Sequence, residues 1–163
     1  MFPVALRYLL RVSVSPWFDS VAQVISEYRL TRRVQFYETD AAGIVHFSWF
    51  FRYMEEAEHA LWREAGLSIH RPDAEIGWPR VAASFEFRNP LHFEDEFGVR
   101  LRIAEITRRT IRYSCLIVKG DTTIATGDLT IACVRKRLNE PMKSIDIPPE
   151  IASRFQVSAD GGG

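Results

Sequence analysis

The feature that most constrains this chain is a change of hydrophobic period. Across residues 47–65 the apolar positions Phe47, Phe50, Phe51, Met54, Ala57, Leu61 and Ala65 recur at helical spacing, with Arg52, Glu56, His59 and Arg63 opposite. Gly66 supplies a stop for that helix. From Val81 onward the period drops to two, in four segments covering residues 81–88, 99–107, 110–119 and 122–134. Val81, Ala83, Phe85 and Phe87 share a face of the first segment, Val99, Leu101 and Ile103 of the second, and Ile111, Tyr113, Cys115 and Ile117 of the third. Short connections at Arg108-Arg109 and Gly120-Asp121 suit antiparallel hairpins. An earlier strand over residues 28–38 puts Leu30, Val34 and Phe36 on one face, with Arg32 as a flaw in its pattern. A sheet that is apolar on one face needs a cover, and the sequence offers one sizeable amphipathic helix. The expected fold is therefore α+β, a curved antiparallel sheet wrapped around one long helix.

The chain has 163 residues, 47% hydrophobic and 26% charged, which suits one domain with a sizeable core. Residues 28–155 are expected to form that domain, behind a loosely attached extension (1–27) and ahead of a flexible tail (156–163). Arg7 and Arg11 interrupt the apolar extension before any run reaches membrane-spanning length, so no membrane span is expected. Lys+Arg and Asp+Glu both total 21, which removes bulk attraction to nucleic acid or an anionic membrane. The cations are nonetheless concentrated, with nine basic residues against three acids from Arg100 to Arg137, enough to attract a small anionic ligand. Cys115 and Cys133 lie in apolar runs without metal or disulfide spacing, and a cytoplasmic location is the simplest expectation. Glycine-rich phosphate loops and Gly-x-Ser-x-Gly elbows are absent from the sequence.

The chemistry-bearing stretch is "YETDAAGIVHFSWFFRYMEEAEHALW", residues 37–62. Asp40 precedes Ala41, Ala42 and Gly43, which are too small to shield a carboxylate from a ligand. As an ordinary structural residue Asp40 would cap the helix or close an Asx turn. A cap is the poorer reading, because the apolar periodicity begins seven residues later, at Phe47. A helix start presents unpaired N–H groups and partial positive charge, which can polarise a carbonyl oxygen.

This stretch, with the downstream "FEFRNPLHFEDEFGVRLRI", resembles the 4-hydroxybenzoyl-CoA thioesterase-like family of hotdog-fold acyl-CoA thioesterases. Asp40, Gly43, Ile44, Val45 and Glu55 match the family pattern residue by residue, and the likeness covers roughly residues 28–138. The resemblance implies hydrolysis of an acyl-CoA thioester to free acid and CoA. Asp40 would be the catalytic carboxylate, as nucleophile or general base, and the Phe47 backbone N–H would polarise the carbonyl. Tyr37, Gly43, Ile44, Val45 and His46 would contact substrate, and Glu55 would have a structural or subunit-contact role. The resemblance also implies a homodimer or dimer of dimers, and no cofactor or metal. The chain departs from the commoner Tyr-His pair before the helix, reading His46-Phe47 instead. Two other functions fit the same residues: action on an acyl group held by acyl carrier protein, and non-catalytic acyl-CoA binding.

Three other readings concern the helix. Glu58 falls within the apolar stripe, so it is expected to be paired with an arginine or protonated, or else that end of the helix is exposed. Glu55, Glu58 and His59 point in different directions and are not expected to share a metal. Trp49 and Trp62 read as surface or interface aromatics.

Overall fold

The structure, a computed structural model, describes residues 23–159. In chain order the elements are β1 (Glu27–Arg33), a single 3-10 turn (Phe36–Glu38), α1 (Ser48–Glu64), β2 (Ile76–Gly77), β3 (Arg80–Phe87), β4 (Glu96–Ile106), β5 (Thr110–Lys119), β6 (Thr122–Ala132), β7 (Val134–Arg135), β8 (Lys143–Ser144) and α2 (Pro149–Ala152). The main sheet has the order β1-β4-β5-β6-β3, antiparallel throughout, and β2, β7 and β8 form a small second sheet. The long helix α1, 17 residues and about 25 Å at 1.5 Å per residue, lies across β1, β4 and β3. This is the hotdog fold.

Alternation in the central strands places Phe97, Val99, Leu101 and Ile103 of β4 and Ile111, Tyr113, Cys115 and Ile117 of β5 against the helix. In β6 the consecutive residues Ile124 and Ala125 are both buried because a register shift opposite Ile117 and Val118 inserts one residue. Gly66, at φ +72°, ends α1 in a left-handed turn, and the Leu67 N–H reaches back to the Trp62 carbonyl at 2.9 Å.

Gly127 on β6 sits opposite Phe85 of β3, whose ring crosses the strand to meet Phe51 and Phe50 of α1. A Cβ at position 127 would lie 2.5 Å from the Ser84 carbonyl oxygen and 2.7 Å from the Phe85 ring. Gly127→Ala is therefore expected to cost roughly 1–3 kcal/mol in urea unfolding, with loss of the β3 register. A change below about 0.5 kcal/mol would show that β3 yields freely.

Several expectations need correction. The first strand ends at Arg33, because Gln35 turns the chain into the 3-10 turn; Phe36 is 74% exposed rather than in the core. The last strand stops at Ala132, and Val134 pairs with Gly77 and Ser144 in the small sheet instead. The helix begins at Ser48, and Phe47 is 59% exposed, whereas Tyr53, Ala60 and Trp62 are buried. A sheet that curls around a helix covers more than one stripe, so flanking positions go inside too. Trp62 is thus a core residue, donating its indole N–H to the Tyr113 hydroxyl at 3.0 Å and packing on Trp78 and Phe155.

The proposed domain limits also shift. Ile25, placed in the extension, is buried and bridges to Phe155, and Glu27 already belongs to β1. Gln156 and Ser158, placed in the tail, donate backbone N–H groups to Ile25 and Ile103. The rest of the extension (1–22) and of the tail (160–163) lies outside the described residues.

Candidate active site

Between the 3-10 turn and α1 the chain folds back on itself as a small hairpin. The His46 N–H donates to the Glu38 carbonyl (2.9 Å), Thr39 bridges Val45, and the Asp40 N–H donates to the Ile44 carbonyl (2.9 Å). At the tip the Gly43 N–H returns to the Asp40 carbonyl at 2.9 Å, with Gly43 at φ +75°, where a side chain would be strained. Asp40 Oδ1 accepts the Ala42 N–H at 2.8 Å, which makes an Asx turn. Asp40 does not cap α1: Phe47 occupies the N-cap position, with no side-chain cap. The Phe47 N–H has no hydrogen-bond partner among the described residues, so the helix opens on an unused donor.

Asp40 and Phe47 line one cavity of about 480 Å³ with Ile44, Val45, Phe50, Phe87, Arg88, Asn89, Pro90 and Leu91. Its walls are mostly apolar, and Phe50 meets Phe87 edge to face at 5.0 Å. Two sequence-distant segments are joined here by backbone pairing: the Val45 N–H donates to the Leu91 carbonyl at 2.8 Å, and Ile44 bridges His92. Asn89 is fixed in turn by its side-chain amide, which donates to the Thr123 carbonyl at 2.7 Å. A larger groove of about 540 Å³ on the outer sheet face is lined by Arg100, Arg102, Arg112 and Asp128. There Glu27 holds Arg100 and Arg102, and Asp128 holds Arg112, so that groove is a lattice of ion pairs.

Of the residues singled out from the sequence, the cavity brings together Asp40, Ile44, Val45 and Phe47. It does not include Tyr37, Gly43, His46 or Glu55. Tyr37 is 67% exposed and packs on Trp49 with ring centres 5.5 Å apart. His46 pairs its Nδ1 with the Ser48 hydroxyl at 2.8 Å and lies against the Phe47 ring. Glu55 lies on the side of α1, paired with Arg52 (3.3 Å) and Arg80 (3.2 Å). Sequence reasoning missed Phe50, Phe87, Asn89 and Leu91 as cavity walls. The quoted stretch after β3 contained three of them, but only long-range pairing turns it toward Asp40.

Glu58 is fully buried, and its Oε2 accepts from Arg80 Nη2 at 2.6 Å, while Oε1 has no partner among the described residues. Burial pushes its carboxyl up to about 7, against the opposing pull of Arg80. The cations of residues 100–137 are largely spent on acids that lie elsewhere in the chain. Arg108 and Arg109 pair with Asp146, Lys119 with Asp95, and Arg137 with Glu75. The expected anion-attracting half is thus mostly neutralised. Among the described residues no three His, Cys, Asp or Glu side chains group as a metal site.

Residues 34–155 match the thioesterase-like superfamily. The chain belongs to that superfamily. This thioesterase-like chain is thereby a hydrolase of the class that acts on thioester bonds. It is 36% identical over 121 residues to an Aquifex aeolicus protein named "Putative esterase", covering 74% of this chain and 91% of that one. It is 22% identical over 139 residues to a 1,4-dihydroxy-2-naphthoyl-CoA hydrolase of Synechococcus elongatus, covering 83% of this chain and all of that one. Among solved structures, a hypothetical protein of Aquifex aeolicus superimposes with a TM-score of 0.72 at 35% identity, covering 79% of this chain and 99% of the other. A gentisyl-coenzyme A thioesterase superimposes with a TM-score of 0.68 at 29% identity, covering 76% and 98%.

Proposed function

We propose that this thioesterase-like chain hydrolyses an acyl-CoA thioester, with Asp40 as the catalytic carboxylate and the Phe47 N–H as carbonyl-polarising donor. The observation that carries this reading is that Asp40 and Phe47, whose N–H at the helix start has no partner among the described residues, line the same mostly apolar cavity. The acyl group lies among Phe47, Phe50 and Phe87 with its carbonyl oxygen on the Phe47 N–H. Asp40 either takes a proton from water, whose oxygen then bonds to the carbonyl carbon, or bonds to that carbon itself and is released by water. In both routes the C–S bond breaks, CoA leaves as thiolate and is then protonated, and the free acid remains. A thiolate leaves readily, so no Ser-His pair is needed.

Aromatic walls favour an aromatic acyl group, and the gentisyl-coenzyme A relative supports that preference. CoA, rather than acyl carrier protein, is the proposed carrier, supported by the CoA thioesters in the relatives' names. The protein is proposed to act as a homodimer. β3 is an open sheet edge that carries Val81 (58% exposed) and Phe87 (50% exposed), a strip that a second copy would cover. Two unpaired thiols support a cytoplasmic location.

The test is thiol release from benzoyl-type, short-chain and long-chain acyl-CoAs and from an acyl-carrier-protein thioester. Turnover is expected to be fastest with aromatic acyl-CoAs, and no turnover of any substrate would sink the proposal. Phe47→Pro sharpens the test, because Phe47 has φ −53°, which proline adopts, and no described residue accepts its N–H. Against a Phe47→Ala control, the proline variant is expected to lose roughly 10²- to 10³-fold in kcat with an unchanged melting temperature. Equal kcat in the two variants would remove the backbone donor from the mechanism.

A further inference from the structure

The hairpin that carries Asp40 is held by two buried side chains, Val45 on its second arm and Glu38 on its first. From Gln35 to Ile44, Glu38 alone is fully buried; Phe36, Tyr37 and the tip residues Asp40, Ala41, Ala42 and Gly43 are exposed. The tip has no side chain able to anchor it by packing. Glu38 instead ties its arm to two other elements, β1 and α1, and closes the start of its own turn. Its Oε1 accepts from Arg32 of β1 at 3.1 Å, and its Oε2 accepts the Gln35 N–H at 2.9 Å and the Tyr53 hydroxyl of α1 at 2.8 Å. Arg32 also pairs with Glu56 of α1 at 3.0 Å and lies 4.9 Å above the Tyr53 ring. Burial and the adjacent Glu38 raise the Tyr53 phenol far above its usual range, so its hydroxyl stays a donor. The backbone carbonyl of the same Glu38 receives the His46 N–H at 2.9 Å, one residue before Phe47.

We infer that Glu38 is a positioning residue, whose carboxylate sets where the Asp40 side chain and the Phe47 N–H stand relative to each other across the cavity. The inference rests on the function proposed above, and it goes beyond it by assigning the accuracy of the site to a residue that touches no substrate. Glu38 belongs to neither catalytic group, yet it lies two residues before one and is backbone-bonded next to the other. Small misplacements of reacting groups are costly, so a hairpin with an exposed tip needs a rigid base. Arg32, the flaw in the first strand's pattern, finds its reason here: it points inward to meet Glu38.

Glu38→Gln keeps the volume but removes the charge that Arg32, Gln35 and Tyr53 serve. It is expected to lower kcat roughly 10- to 100-fold on the best aromatic acyl-CoA while KM moves less than about twofold. Placed in an Asp40→Asn background it is expected to change the residual rate by less than about twofold, because it acts through Asp40. Tyr53→Phe, which removes one donor and leaves the ring, is expected to show a smaller fall of the same kind and secures the test if Glu38→Gln folds poorly. Amide hydrogen exchange gives a readout independent of activity. The His46 amide is expected to exchange at least about tenfold faster in Glu38→Gln, with β4 and β5 unchanged. Unchanged kcat in both variants, an equal loss with and without Asp40, or unaltered His46 exchange would overturn the inference. If the wild type hydrolyses no acyl-CoA, the proposed function fails, and His46 exchange still decides the role of Glu38.

Discussion

Asp40→Asn is expected to leave only a small residual rate of hydrolysis while keeping the fold in place. The substitution is conservative where the structure needs it to be, since an asparagine carbonyl can still accept the Ala42 N–H that closes the Asx turn. What it loses is the capacity to take a proton from water or to attack a carbonyl. The expected fall in kcat is roughly 10²- to 10⁴-fold, with a melting temperature within about 2 °C of wild type. A single turnover in isotopically labelled water can reveal the nucleophile route. Label in Asp40 marks that route with water opening the anhydride at the Asp40 carboxyl carbon, whereas label in the acid alone fits either the base route or opening at the acyl carbon. Retention of more than about a tenth of wild-type kcat, with the fold intact, would remove Asp40 from the chemistry.

Arg80→Met is expected to produce the largest stability loss, and the loss should depend on pH. Removing Arg80, itself 35% exposed, leaves the buried Glu58 charge uncompensated, at a cost below the roughly 3–5 kcal/mol of a fully buried pair. The sign of the pH effect follows from Glu58, whose carboxyl rises from an ordinary 4.5 to about 7 in the fold. The folded state therefore binds the proton more tightly than the unfolded chain. Stability from this group is complete below about pH 4.5 and is lost as pH rises through about 7. Arg80 supplies the opposing pull, so its removal raises the carboxyl further and enlarges the loss at pH 8. At pH 5 the carboxyl is neutral and the loss shrinks. His59, which burial lowers and which lies 3.4 Å from Arg80, slopes the other way. Because Arg80 also helps to lower His59, urea unfolding of wild type and variant at both pH values reads the two groups together, and a substitution at Glu58 separates them. Glu58→Leu added to Arg80→Met is expected to restore most of the loss, because an apolar pair can replace a buried ionic one. An equal penalty at pH 5 and pH 8 would show that Glu58 is not its source.

The half-buried strands were legible because alternation records burial directly. β5 runs from Thr110 to Lys119, as its pattern requires, and its inward residues are the four singled out. β3 shows where that reading weakens. Its residues alternate, but β3 lies at an open edge, and Val81 and Phe87 remain half-exposed. The 3-10 turn was missed because Val34 and Phe36 continue the period of β1; two of the Glu38 partners, Arg32 and Gln35, lie just before it in sequence, and the fold brings in Tyr53 of α1. Asp40 was singled out by the small residues behind it and the family resemblance, and the fold puts it on the cavity wall, where its catalytic role is the proposal. The opposite wall was not legible, since Phe87 to Leu91 reach Asp40 only through pairing at Ile44 and Val45. Glu58 shows local pattern succeeding on chemistry alone: a carboxyl in an apolar stripe had to be paired or protonated, and it has both an arginine and a raised pKa.

The two cysteines bear on how any of this is measured. Cys115 and Cys133 are both buried, and burial pushes their thiols up to about 12 and about 11. At pH 8 their thiolate fractions are about 10⁻⁴ and 10⁻³, so a disulfide reagent that counts released CoA meets almost no reactive sulfur in the folded enzyme. Both thiols become reactive when the chain opens. The same reagent, without substrate, therefore serves as a clock for unfolding, and each variant's loss of activity can be separated from its loss of structure in one cuvette.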